Sequence, residues 1–123
     1  MRPAAAAAIA ILLPCCDLPA KAGCITEPID KSGRAETIRT ETIENFLRRK
    51  TIYKITRTSD TAVEVQVSAD FLELPFDMKQ VIAWTVFSLS FDGADEKQTV
   101  LFADSRTLAQ LGAFDACNGL KLR

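Results

Sequence analysis

The sequence predicts a small single α+β domain: an antiparallel sheet, made of a hairpin plus a C-terminal meander, packed against one or two helices in the order α-β-β-α-β-β(-β). Three observations carry that expectation. Residues 62–68 alternate strictly, with Val63, Val65 and Val67 on one side and Glu64, Gln66 and Ser68 on the other, the period of a half-buried strand. Residues 35–50 place Ile43, Phe46 and Leu47 at i, i+3 and i+4 among charged neighbours, the period of an amphipathic helix. Residues 98–122 hold short apolar runs broken by turn residues. At 123 residues and 48% apolar, the chain is too short for two cores and too apolar for disorder.

In chain order, the first element stands outside the domain. Arg2 precedes an unbroken apolar run of ten residues, Ala4 to Leu13, which Pro14 and Asp17 end. A helix needs roughly 20 such residues to cross a hydrocarbon layer of about 30 Å, so the run is too short to span a membrane. Ala20-Lys21-Ala22 then matches the small-x-small pattern of a signal peptidase site, and residues 1–22 are expected to be a cleavable export signal. A lipid anchor on Cys24, Cys15 or Cys16 competes with this reading, but Lys21 and Pro14 are poor neighbours for it. The other competitor is an Ala-rich buried first helix of a chain that is never exported.

Residues 23–34 contain Pro28, Ser32 and Gly33 without periodicity and read as a flexible lead-in to a domain at 35–123. The helix expected over 35–50 has Glu36 and Glu41 early and Arg48-Arg49-Lys50 at its end, the order that the helix dipole favours. The basic run therefore reads as a solvated helix terminus rather than a phosphate site. Residues 51–57 are β-branched and aromatic, and Ser59-Asp60 turns them into the strand at 62–68.

A second helix is expected over 75–90, with Asp70 or Asp77 as its cap and Pro75 in the first turn. Met78, Val81, Ile82, Thr85 and Leu89 form its stripe, with Trp84 and Phe87 beside it. Its end stays open, because Phe87, Leu89 and Phe91 also alternate with Ser88, Ser90 and Asp92 in a strand-like way. After a loop at 93–97, a strand over 98–103 leads to the polar turn Asp104-Ser105-Arg106-Thr107. A return strand over 108–114 has Gly112 as its expected bulge, and Asn118-Gly119 turns into a last short strand with Leu120 and Leu122.

Composition limits the chemistry. Without histidine the chain lacks the commonest general base and a common metal ligand. Neither Ser88 nor Ser90 has a lysine at helical or strand spacing, and the glycines form no phosphate-cradling motif. A net charge of −1 offers no broad cationic footprint for nucleic acid. Carboxylates are available in pairs, Asp70 with Glu73, Asp92 with Asp95 and Asp104 with Asp115, but acids beside turns mostly cap them. The Asp92–Glu96 stretch lacks the ligand spacing of a calcium loop. No metal and no cofactor is expected.

Removal of 1–22 leaves Cys24 and Cys117, and an oxidising compartment would pair them. Two surfaces are candidates for interaction. One is the 104–107 turn, where Arg106 beside Asp104 can reach a partner carboxylate. The other is the stripe of Ile43, Phe46 and Leu47. The functional expectation is an exported, periplasmic or secreted accessory protein that binds an envelope protein partner. It has no membrane span in the mature chain and no evident catalysis. The alternatives are a small carboxylate-based enzyme and a lipid-anchored structural envelope protein.

Overall fold

Ser32 starts the first helix, α1 (Gly33–Arg48), by accepting a hydrogen bond from the Ala35 N–H at 3.3 Å. The computed structural model describes residues 24–25 and 28–123, so the segment read as an export signal lies outside the described residues. Glu36 in the first turn of α1 and Arg48 in the last suit the dipole, and Ile43 and Phe46 are its buried residues. The chain leaves the helix through Lys50 at φ 63°, and the Thr51 N–H returns to the Phe46 carbonyl at 3.0 Å.

Strands β1 (Ile52–Ser59) and β2 (Ala62–Val67) form the expected hairpin, with Ile52 opposite Val67 and Ile55 opposite Val65. The register shifts between Ile52 and Lys54, leaving Tyr53 as an extra residue. Ile52 and Ile55 thereby share the face of Val63, Val65 and Val67. Lys54 and Thr56 lie with Gln66 and Glu64 on the other face, away from the core.

After β2 the chain forms a short helix, α2 (Ala69–Leu72), and then α3 (Phe76–Ser90). Helix geometry holds through Ser90, with Phe87 and Ser88 buried, so the strand-like alternation at 86–91 is a helix buried on more than one side. Pro75 occupies the N-cap without a side-chain cap bond, so neither Asp70 nor Asp77 caps α3. Asp77 sits in the first turn, where its charge still suits the dipole.

Strands β3 (Thr99–Asp104), β4 (Gln110–Asp115) and β5 (Gly119–Leu122) complete a five-stranded sheet in the order β1-β2-β3-β4-β5. The α+β class and the element order are as the sequence predicts, but the sheet is mixed rather than wholly antiparallel. β2 and β3 run parallel, with Val63 beside Val100 and Val67 beside Asp104. The physical reason is the connection: a helix laid across the sheet returns the chain to the end where β2 began, the crossover that a parallel neighbour requires.

Gly112 serves a purpose other than the expected bulge. Phe102 pairs with Gly112 and Ala103 with Gln110, so the extra residue is Leu111. At Gly112 a Cβ would lie 2.2 Å from the Lys121 carbonyl oxygen and 2.8 Å from Leu122 Cα; the glycine lets β5 approach.

One sheet face carries the core. Val63, Val65, Val100, Phe102 and Phe114 meet Ile82, Val86 and Phe87 of α3, Ile43 and Phe46 of α1 and Phe71 of α2. Phe71 stacks on Phe102 at 5.2 Å, and Phe87 meets Phe114 edge-on at 5.6 Å. Each fully buried Phe is worth about 1.5–3 kcal/mol of transfer free energy. Together Phe71, Phe87 and Phe102 therefore outweigh the one buried side-chain hydroxyl without a partner among the described residues, Ser88 Oγ.

The lead-in is tied to this core. Cys24 is disulfide-bonded to Cys117, the Ile25 N–H donates to the Ala116 carbonyl at 2.8 Å, and Ile29 is buried. Lys31 Nζ donates to the Ser88 carbonyl near the end of α3. Arg57 of β1 donates to the Ser90 carbonyl, and its guanidinium lies 5.2 Å from the Phe91 ring centroid. Both cations thus serve carbonyls that the helix terminus leaves unpaired.

Candidate functional site

The 104–107 turn is built by Asp104. Its Oδ1 accepts from the Arg106 N–H at 2.7 Å and the Thr107 N–H at 3.1 Å, and these two bonds hold its carboxyl below the ordinary value of 3.8. The Leu108 N–H donates to the Asp104 carbonyl, the Asp104 N–H to the Ala109 carbonyl, and the Ser105 N–H to Val67 at the end of β2. Asp104 is therefore a turn-former, and the Arg106 side chain is exposed without a hydrogen bond or ion pair among the described residues. Leu108 is the addition that sequence reading missed. It is 60% exposed at φ 64°, a large apolar residue held in the left-handed region.

The other expected surface is not one. Ile43 and Phe46 are 6% and 9% exposed, and Leu47 packs against the same cluster. Helical spacing reported an apolar face correctly, but α3 and the sheet cover that face. The carboxylate pair Asp104–Asp115 is also separated. The two acids stand at opposite ends of the β3–β4 hairpin, and Asp115 Oδ1 caps its own turn by accepting from the Cys117 and Asn118 N–H groups. Asp95 Oδ1 likewise accepts from the Lys97 N–H.

A cleft of about 570 Å³ lies between α3, β4 and the lead-in, lined by Ile25, Asp77, Gln80, Val81, Trp84 and Phe114. Asp77, Gln80, Val81 and Trp84 fall at i, i+3, i+4 and i+7, so one face of α3 supplies one wall. The disulfide end places Ile25 opposite it, and β4 contributes Phe114. Trp84 is half-buried; its ring stacks on Phe87 at 5.6 Å and meets Phe114 edge-on at 6.3 Å. The sequence signal for this cleft is faint. Trp84 and Phe114 read as core, and Ile25 sits in a stretch without periodicity.

No family model, no curated protein and no solved structure matches this chain. The side chains around the cleft are suited to binding. Their walls are apolar, the polar groups sit at helical spacing on one side, and Leu72, Phe76, Met78 and Val81 of α2 and α3 are each 42–51% exposed. Among the described residues no three of His, Cys, Asp or Glu are grouped to hold a metal ion.

Proposed function

We propose that this chain is an exported accessory protein that binds an envelope protein without performing catalysis, and that the partner covers the helical face around the α3 cleft. The observation that carries this reading is the set of exposed large apolar side chains on α2 and the first turns of α3, Leu72, Phe76, Met78 and Val81, of which Val81 lines the cleft with the half-buried Trp84. Covering such side chains with a partner removes apolar area from water, which favours association.

Two features support the compartment. Disulfides persist in oxidising surroundings, and Cys24–Cys117 joins the start of the expected mature chain to the β4–β5 turn. The export pattern of residues 1–22 agrees with that placement. No helix among the described residues is long and apolar enough to cross a membrane. Since one sulfur cannot carry both a disulfide and a thioether, the bond also argues against lipid attachment at Cys24.

Site-specific photo-crosslinking in the producing cell tests the reading. A photoreactive residue at Val81 should give one discrete crosslinked protein in the envelope fraction, and one at Thr56, on the face away from the helices, should give none. Silence at Val81, or the same products from both positions, would contradict it.

A further inference from the structure

We infer that the α3 cleft recognises an aliphatic ammonium group, the chemistry of a lysine side chain, with Asp77 as counter-charge and Trp84 as aromatic wall. The inference deepens the binding role proposed above and rests on it. Asp77 is the one charged side chain that lines the cleft among the described residues, and the rest of the lining is apolar apart from Gln80. A carboxylate at the rim of an apolar cleft repels an anion. Asp77 is exposed at the cleft, and a purely apolar occupant would leave its charge unanswered. A cation on an aliphatic stem answers both demands, with its stem against Ile25, Val81 and Phe114 and its head beside Asp77.

Two further observations agree. The side chains of Asp77, Gln80 and Trp84 make no hydrogen bond or ion pair with any described residue, so nothing internal competes for them. Gln80 adds an amide carbonyl as a second acceptor on the same helical face. The indole is also the best aromatic partner for a cation, and Trp84, stacked on Phe87 and edge-on to Phe114, is still only half-buried.

Trp84 is the sole tryptophan, so intrinsic fluorescence reads the cleft directly. The full chain, with its disulfide intact, is titrated with hexylammonium, hexanol and hexanoate, which share a stem and differ in head group. Hexylammonium should give a saturable change at least tenfold tighter than hexanol, with hexanoate weakest. Asp77→Asn should bring hexylammonium to within about threefold of hexanol and leave hexanol unchanged, while Lys79→Ala, outside the lining, should change neither. Equal affinity for the three ligands, a preference for hexanoate, or no saturable change would each overturn the inference. The ligand series on the unaltered protein decides the matter even if Asp77→Asn folds poorly. Crosslinking at Val81 is read separately. A discrete crosslink with an indifferent ligand series removes only the ammonium assignment, whereas ammonium selectivity without a crosslink removes the protein partner.

Discussion

Ile25 donates its backbone N–H to the carbonyl of Ala116 at 2.8 Å, one residue from each end of the Cys24–Cys117 bond. The start of the described chain and the β4–β5 turn are thus joined by a covalent and a hydrogen bond at one place. Ile25 is held there as a wall of the cleft, so the disulfide links stability to the candidate site.

Loss of that bond should be costly. The bridge spans a sequence separation of 93. Chain-entropy reasoning gives about 4–5 kcal/mol for a loop of this length. The Cys24→Ser, Cys117→Ser double variant should lose about 3–5 kcal/mol in chemical denaturation. Reduction of the unaltered protein should lower its stability by a similar amount, and a loss near zero would mean that the clasp is energetically idle.

Gly112→Ala should destabilise by about 3 kcal/mol or more, because the new methyl meets backbone atoms of β5 that no rotamer change can move aside. Gly33→Ala is the matched control, since its Cβ would meet nothing within 4 Å. Denaturation midpoints of the two variants give the comparison.

Ser88→Ala should raise stability by about 1 kcal/mol. The Ser88 hydroxyl is fully buried in α3 without a partner, while its carbonyl still accepts from Lys31 after the change. Alanine also favours the helix. A loss of stability would show that the hydroxyl finds a partner in solution.

The Asp104 turn should give a pH-dependent increment. Its folded carboxyl titrates below the unfolded value because the Arg106 and Thr107 N–H groups bond the ionised form. The increment is therefore complete above about pH 4 and fades as pH falls through the folded value. Asp104→Ala should melt lower than the unaltered protein at neutral pH. The gap should narrow steadily below about pH 4, and a gap that stays constant down to pH 2 would contradict this assignment.

Much of the fold was legible because one face of the hairpin is solvated, so Val63, Val65 and Val67 keep their alternation. Alternation says nothing of direction, however, and the parallel β2–β3 pair follows from the helical crossover. At 86–91 the period failed because α3 buries Val86, Phe87 and Ser88 around more than one side. The stripe of Ile43 and Phe46 shows the same limit for sites: spacing identifies an apolar face without saying what covers it. Asp104 and Arg106 were found as a turn, but the positive φ of Leu108 leaves no mark in a residue pattern. The cleft was the least legible feature, since Ile25, Trp84 and Phe114 meet only after the disulfide and the crossover bring three distant segments together.

The most direct test of an exported, disulfide-closed binding protein is the intact mass of the chain from its producing cell, alkylated with and without reductant. The chain should begin at Gly23, remain unalkylated as isolated and take up alkylating agent at Cys24 and Cys117 only after reduction. A chain beginning at Met1, with all four cysteines alkylated before any reductant is added, would contradict it.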